Sequence, residues 1–151
     1  MKNEMTLTFS AISENEAFAR NAVAAFCVEL DPTIDQINDI KTAVSEAVTN
    51  CIVHAYADDK DGKFVTVKTD ITDGIVHIVV SDTGVGIEDI QHAMQPFFTT
   101  KPEQERSGMG FTVMESFMDS LSVERNIPSG TVVSMTKTIR GADWKKKKHS
   151  D

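Results

Sequence analysis

The chain has 151 residues, of which 40% are hydrophobic and 25% are charged, and its formal net charge is −8. This length and composition are typical of one globular domain and argue against a disordered chain. The acidic balance argues against nucleic acid as a direct partner, because binding to a phosphate backbone requires a basic face.

The first part of the chain predicts one strand and two helices. The segment "MTLTFSAI" alternates apolar and polar residues, which indicates a half-buried strand. Ser13 and Glu16 then have the spacing of a capping box and open a helix through about Leu30. Thr33 and Gln36 repeat this spacing and open a second helix, which runs to the end of the segment "SEAVTNCIVHAY".

The remainder of the chain predicts two hairpins with helices between them. "FVTVKTDI", the turn "TDG" and "IVHIVVSD" form the first hairpin, and "LSVERN", the turn "IPSG" and "TVVSMTKTI" form the second. Between them we expect a short helix at Glu88–Met94, a long aperiodic loop at Gln95–Ser107 and a helix at Gly110–Met118. This order of elements predicts an α/β two-layer sandwich, in which a mostly antiparallel mixed sheet carries the helices on one face.

Three features of the sequence predict a cytoplasmic protein that is not bound to a membrane. No apolar run approaches the ~20 residues that a membrane-spanning helix requires. The N-terminal "MKNEMTLTF" lacks the apolar core of a signal peptide. Cys27 and Cys51 both lie among apolar residues of the predicted helices, so we expect reduced, buried thiols rather than a disulfide or a metal pair.

The second helix carries a row of polar residues along the border of its apolar stripe. Glu46, Asn50 and His54 follow one another at intervals of four, which places them in one row on the helix surface. An asparagine amide oxygen suits a Mg²⁺ ion that keeps several waters, and a glutamate nearby can take a proton from an attacking hydroxyl or water. The same row is also compatible with ordinary helix surface, and a histidine beside an apolar stripe more often has a packing role.

The strand "IVHIVVSD" ends in the segment "DTGVGI", which contains Asp82, Gly84 and Gly86. Alternating glycines let the backbone approach a ligand closely, and a carboxylate can accept a hydrogen bond from an exocyclic amine such as that of adenine. Many strands end in an Asp-Gly turn without binding anything. "DTG" also occurs in aspartic proteases, but their site usually has a small residue where Val85 stands, and it would leave the polar helix row without a role.

A second glycine cluster, "SGMGF", contains Gly108 and Gly110 and directly precedes a predicted helix. A glycine-rich turn at the start of a helix presents free backbone N–H groups and a positive dipole end, both of which suit phosphate oxygens. Lys101 and Arg106 lie in the loop before it and are cations that can meet a polyphosphate. The alternative is a polar loop followed by a helix cap.

Taken together, these segments and the late "GT" at Gly130–Thr131 resemble, in their order, the motifs of the GHKL ATPase superfamily. The resemblance covers nearly the whole chain. The segment "PFFTTKPEQERSGMGFTVMESFMD" is similar to the nucleotide lid and following helix of the anti-sigma factor kinases of endospore-forming bacteria. The resemblance implies the Bergerat ATP-binding fold, with a kinase domain at residues 1–141 and a lysine-rich tail at 142–151 that we expect to be disordered.

The resemblance also implies a function. Such a protein binds ATP or ADP with Mg²⁺, binds and inhibits the sporulation sigma factor F, and phosphorylates a serine of an anti-anti-sigma factor. It works as a homodimer, here with the first strand and first helix as the expected contact region. Arg20, on that helix, would be an exposed cation facing an acidic partner surface. The alternative is a nucleotide-gated protein that sequesters the sigma factor without efficient kinase activity.

The matching motifs transfer specific roles to positions in this chain. Glu46 would be the general base and Asn50 the Mg²⁺ ligand. Asp82 would bind the adenine amine, and Thr131 would line the adenine side of the pocket. The remaining predicted contacts are Gly84 and Gly86, which would shape the adenine pocket, and Lys101, Arg106, Gly108 and Gly110, which would meet the phosphates from the lid.

Overall fold

A computed structural model describes residues 2–56, 61–95 and 110–139 of the chain, and all structural statements below concern these residues. The strands are β1 (Asn3–Ser10), β2 (Phe64–Thr72), β3 (Ile75–Ser81), β4 (Ser120–Arg125) and β5 (Thr131–Thr138). The helices are α1 (Glu14–Phe26), α2 (Ile34–Asn50), α3 (Ile90–Ala93) and α4 (Gly110–Phe117). A 3₁₀ turn, Cys27–Leu30, follows α1, and a π-helical segment, Cys51–Ala55, follows α2.

Two of the predicted regions fall largely or wholly outside this description. Of the predicted loop at Gln95–Ser107, only its first residue is described, and the lysine-rich tail at 142–151 lies entirely outside the described residues. No helix in the described part of the chain is both long and apolar enough to cross a bilayer. Cys27 and Cys51 are both free and buried, as the sequence predicts.

The five strands form one sheet in the order β1-β2-β3-β5-β4, and each pair of neighbours is antiparallel. The predicted α/β sandwich with a mostly antiparallel sheet is therefore confirmed. Because β5 inserts between β3 and β4, the end of β3 lies beside the start of β5. Ser81 pairs with Val132, and the Asp82 amide donates to the Thr131 carbonyl at 3.1 Å. This pairing brings the segment "DTGVGI" next to the "GT" at Gly130–Thr131, although the two are far apart in the sequence.

One face of the sheet is buried under the helices. Alternate residues of β2 and β3 are fully buried, as expected for strands with one covered face. The central helix is α2, which contacts both α1 and α4 and also reaches β3. Its polar row, Glu46, Asn50 and His54, is partly buried, as predicted for the border between core and solvent. The buried residues of α2 are Ile40, Ala43, Val44, Ala47 and Val48.

The capping box predicted at the start of α2 is present. The Gln36 amide donates to Thr33 Oγ1 at 3.2 Å, and the Thr33 amide donates to Gln36 Oε1 at 2.9 Å. The capping box predicted at the start of α1 is absent, so this prediction is wrong. Ser13 has helical backbone angles and makes no side-chain capping bond.

The side chain of Glu16 explains why the first capping box does not form. Its two carboxylate oxygens each accept from Arg20 Nη1 at 2.7 Å, and one of them also accepts from the Ser45 hydroxyl of α2. The carboxylate is therefore used to join α1 to α2. The sequence predicts Arg20 to be an exposed cation facing an acidic partner surface; in the structure it is paired with Glu16 of the same helix, and its side chain is 36% exposed.

The second helix continues past Asn50 in a wider turn than predicted. The Tyr56 amide donates to the Cys51 carbonyl at 3.1 Å, the five-residue spacing of a π-helix. The Ala55 carbonyl lies at the end of this segment, where helix carbonyls have no partner within the helix, and it accepts from the Val85 amide at 3.1 Å. The π segment thus ties the end of the helix to the loop that follows β3.

The difference between the two predicted capping boxes can be tested by measuring the free energy of unfolding of one variant at each position. We expect Thr33→Ala to lower the free energy of unfolding by about 1 kcal/mol, because it leaves the Gln36 N–H without its side-chain partner. Ser13→Ala is the matched control and should change it by less than about 0.5 kcal/mol. Chemical denaturation of both variants measures the difference, and equal losses would contradict the assignment.

Candidate functional site

A cavity of about 650 Å³ opens where α2, α4, β3 and β5 converge. Its volume is in the range of small-molecule sites. Asn50, Asp82, Gly86, Gly110 and Thr131, which the sequence predicts to belong to the ligand site, all line it, and so does His54. The other lining residues are Ala47, Cys51, Ala55, Val85, Ile87, Glu88, Asp89, His92, Ala93, Phe111 and Val133.

Asp82 is a buried carboxylate that accepts two backbone hydrogen bonds. The residue is 5% exposed, and its Oδ1 accepts from the Gly84 amide at 3.0 Å and from the Thr131 amide at 3.2 Å. Burial raises the pKa of Asp82, and the Gly84 and Thr131 amides and the neighbouring Cys51 thiol oppose that rise. Since a carboxylate offers about four acceptor positions, room remains for a further donor.

Two glycines allow backbone segments around Asp82 to approach more closely than any side chain would permit. A Cβ on Gly84 would lie 2.2 Å from the Ala55 carbonyl oxygen, at the end of the π segment. Gly130 has φ +104, and a Cβ there would lie 2.1 Å from the Asp82 carbonyl oxygen. The predicted role of Gly84 in shaping the pocket is therefore a matter of packing against the helix end.

At the other end of the cavity, α4 begins directly opposite the polar row of α2. A methyl group added at Gly110 would lie 3.3 Å from both side-chain atoms Oδ1 and Nδ2 of Asn50 and 3.4 Å from Glu46 Oε2. The absence of a side chain at Gly110 thus leaves the acid and the amide facing the start of a helix. Glu46 does not itself line the cavity; its carboxylate lies beside Gly110, which does.

Sequence reasoning missed residues that hold the site together. Tyr56 accepts from the Thr83 amide at 2.7 Å and donates to the Phe64 carbonyl at 2.9 Å. Asn126 Nδ2 donates to the Asp82 carbonyl at 2.8 Å. A signal existed for Tyr56, because it is the single tyrosine of the chain and ends the predicted helix, where a buried hydroxyl needs partners. Asn126 had none.

Three predicted phosphate contacts lie outside the described residues: Lys101, Arg106 and Gly108. Their roles stay predictions from the sequence.

The chain matches a protein-family model described as the histidine kinase-like ATPase domain, over residues 9–137. It is 59% identical over 139 residues to the anti-sigma F factor of Geobacillus kaustophilus, which spans 92% of this chain and 94% of that protein. It is 53% identical over the same length to the anti-sigma F factor of Bacillus subtilis, again spanning 92% of this chain and 94% of that protein.

Solved structures with little sequence identity share the fold. The RsbU and RsbW domains of a Mycobacterium tuberculosis protein match with a TM-score of 0.62 and 20% identity, over 93% of this chain and 34% of that one. The catalytic domain of the histidine kinase ThkA matches with a TM-score of 0.56 and 14% identity, over 91% of this chain and 99% of that one. The resemblance seen in the motifs is therefore confirmed, and the chain belongs to the histidine kinase-like ATPase domain family, in the group that includes the anti-sigma F factors.

Proposed function

We propose that the chain is an ATP-dependent serine-protein kinase and anti-sigma factor, which inhibits sigma factor F and phosphorylates a serine of an anti-anti-sigma factor. The observation that carries the proposal is that Asn50, Asp82, Gly110 and Thr131, predicted from separate motifs, line one cavity. Membership of an ATPase domain family and high identity to anti-sigma F factors support it further.

At the base end of the cavity, Asp82 would accept a hydrogen bond from the 6-amino group of adenine. The carboxylate has an acceptor position left, and its buried setting strengthens a bond to a donor that enters the cavity. Thr131, Val133 and Ala93 line the same cavity and would surround the apolar faces of the base. This arrangement favours adenine over a base that presents an acceptor at the same position.

At the phosphate end, Gly110 and Asn50 are the described residues suited to a phosphate chain and its metal. Gly110 starts α4, whose N–H groups and dipole favour anions, and Gly86 and Gly110 leave space along the cavity. The Asn50 amide oxygen would be a Mg²⁺ ligand, and the space left by the missing side chain at Gly110 fits an ion that keeps several waters. A bound Mg²⁺ would neutralise charge on the phosphates. Lys101, Arg106 and Gly108 would complete these contacts.

Glu46 would act as the general base. Its carboxylate lies next to Gly110 and one helical turn from Asn50, at the phosphate end. From there it would take the proton of the partner's serine hydroxyl as the oxygen attacks the terminal phosphorus and ADP leaves. Phosphoryl transfer of this kind depends mainly on positioning and charge neutralisation, so few protein groups are required.

The proposed homodimer would use β1 and α1. In the described sheet, β1 is an edge strand, and an unpaired edge can add further strands. Ile12, between β1 and α1, and Phe18, on α1, are large apolar residues that are 44% and 54% exposed. An exposed apolar surface beside an open sheet edge favours association with another chain.

A second function, a nucleotide-gated binder that sequesters a sigma factor without efficient transfer, uses the same cavity. Incubation of the protein with γ-labelled ATP, Mg²⁺ and the anti-anti-sigma factor separates the two functions. A kinase leaves label on a serine of the partner, and a binder leaves none while still retaining the sigma factor in a pull-down.

We expect Glu46→Gln to lower the rate of phosphoryl transfer by about 100-fold or more, because the amide cannot accept the serine proton. Nucleotide affinity, measured by calorimetry, should stay within about threefold of the wild-type value, since the side chain keeps its shape. Labelling of the partner at the wild-type rate would show that Glu46 is not the base.

Asn50→Ala should remove the part of ATP affinity that depends on Mg²⁺. Titrations with Mg²⁺ and with a chelator should then give nearly the same dissociation constant, whereas the wild-type protein binds more tightly with the metal. Thr49→Ala is a matched control, because Thr49 lies next to Asn50 but lines a separate, smaller cleft. An alanine variant that keeps the full metal dependence would exclude the ligand role.

Asp82→Asn should weaken ATP binding by about tenfold or more, since one charge-assisted hydrogen bond is lost.

The effect of Asp82→Asn on the free energy of unfolding should depend on pH. Burial raises the folded-state pKa of Asp82, so the carboxyl contributes its full stability below the ordinary aspartate pKa and loses it as pH rises through the raised value.

The asparagine variant does not titrate at this position, so the wild-type protein should lose stability relative to it as pH rises. At neutral pH the variant should be at least as stable as the wild type. Chemical unfolding at several pH values measures this difference. A variant that is markedly less stable at neutral pH would show that the charge serves the fold rather than a ligand.

A further inference from the structure

The last hydrogen bond between β3 and β5 departs from the pattern of a regular antiparallel pair. The register that pairs Ser81 with Val132 places Asp82 directly opposite Thr131. Two residues opposite each other at a hydrogen-bonded position normally exchange both of their backbone bonds. One of these bonds is present, since the Asp82 amide donates to the Thr131 carbonyl at 3.1 Å. The Thr131 amide, however, donates to the side-chain oxygen Oδ1 of Asp82 at 3.2 Å.

A side chain from the turn between β4 and β5 takes the place of the Thr131 amide in this pair. Asn126 Nδ2 donates at 2.8 Å to the Asp82 backbone carbonyl, which is the acceptor that the Thr131 amide would use in a regular pair. A buried carbonyl without a donor is costly. Asn126 removes that cost, and the Thr131 amide can therefore bind the carboxylate instead.

The turn holds the Asn126 side chain in one orientation. Its Oδ1 accepts from the Ile127 amide at 2.9 Å, and the backbone amide of Asn126 donates to the Gly130 carbonyl at 2.9 Å. The reversed side-chain orientation would place an oxygen against the Asp82 carbonyl and an NH₂ group against the Ile127 amide. The turn can lie this close because Gly130 has no Cβ, which would be 2.1 Å from the Asp82 carbonyl oxygen.

We propose that Asn126 is a positioning residue for base recognition, which satisfies the Asp82 carbonyl and so releases the Thr131 amide to hold the Asp82 carboxylate. This inference rests on the proposed function, because it concerns the carboxylate assigned there to the 6-amino group of adenine. The Thr131 amide fixes the direction of the carboxylate and stabilises its charged form. A charged acceptor that is already held in place binds an amino group more strongly than one that must be ordered first.

Loss of the Asn126 donor would return the strand pair to its regular form. The Asp82 carbonyl would become the unsatisfied acceptor, and the Thr131 amide is the donor that a regular pair supplies to it. Of its two backbone donors, the carboxylate would then keep only the Gly84 amide. The adenine amino group would contribute less to binding, whereas contacts with the ribose and the phosphates would not change.

The test measures the contribution of the 6-amino group directly. Calorimetry gives the dissociation constants of Mg-ATP and of the Mg complex of purine riboside triphosphate, which has the same ring system without the amino group. We expect Asn126→Ala and Asn126→Asp each to lower the preference for ATP by about fivefold or more, the effect of weakening one hydrogen bond. Aspartate keeps the oxygen that accepts from the Ile127 amide and removes only the donor.

Ser129→Ala is the matched control. Ser129 Oγ lies in the same turn and donates to the Thr83 carbonyl at 3.0 Å, next to Asp82 in the chain. Its loss should leave the preference for ATP unchanged.

A purely structural role of the turn would weaken both nucleotides to the same degree. An unchanged preference in either Asn126 variant therefore overturns the proposal, and so does an equal fall in the Ser129 control. Failure of the wild-type protein to bind ATP would refute the proposed function, and the role in base recognition with it. The exchange of hydrogen-bond partners is tested separately.

That second measurement needs no nucleotide. Scalar couplings across hydrogen bonds join an amide nitrogen to the carbon of its acceptor group and are detected by NMR. In the isotope-labelled wild-type protein, we expect a coupling from the Thr131 amide to the carboxyl carbon of Asp82. In Asn126→Ala, the coupling should move to the backbone carbonyl carbon of Asp82. A coupling to that backbone carbon in the wild type, or one that stays on the carboxyl carbon in the variant, would overturn the proposal.

Discussion

The site depends on keeping a carboxylate at Asp82 in a place that disfavours its charge. The side chain is buried between β3, β5 and the end of α2, where removal from water makes an ion costly. Two backbone amides, those of Gly84 and Thr131, offset that cost, and they come from different segments of the chain. The charged carboxylate is therefore stabilised only where these segments meet at the observed distances.

Close backbone packing makes that meeting possible. Gly84 lies against the Ala55 carbonyl and Gly130 against the Asp82 carbonyl, at separations that exclude any Cβ. The Ala55 carbonyl, one of the last carbonyls of the helix, accepts from the Val85 amide. The helix end and the loop after β3 are therefore joined by a hydrogen bond as well as by the close contact at Gly84.

The sequence predicts the elements well because their periodicities are strong. The alternation in β2 and β3 and the apolar stripe of α2 reflect burial of one face, which the structure reproduces. The positions of several site residues can also be predicted from the sequence, since glycines and isolated polar residues stand out against apolar surroundings. The hydrogen-bond partners of polar side chains are harder to predict. Ser13 and Thr33 have the same local pattern, and the two sites differ in the contacts of Glu16, which bonds to Arg20 on its own helix and to Ser45 on α2.

The same reason explains why Asn126 escaped prediction. It acts through a partner far along the chain, and asparagine is a residue type that is common in turns without further meaning. Periodicity reports which face of an element is buried, but it carries no information about what lies opposite.

The helix α2 and its π continuation connect the two ends of the cavity. Glu46 and Asn50 face Gly110 at one end, and Cys51 and Ala55 of the π segment line the cavity together with Asp82. The adjacent Ser45 is held from the other side by Glu16 of α1. A shift of α2 would therefore move the acid and the amide together. In the proposed function, fixing α2 between α1 and α4 would set the spacing between the base and the phosphates of a bound nucleotide, and phosphoryl transfer requires that spacing to be held closely.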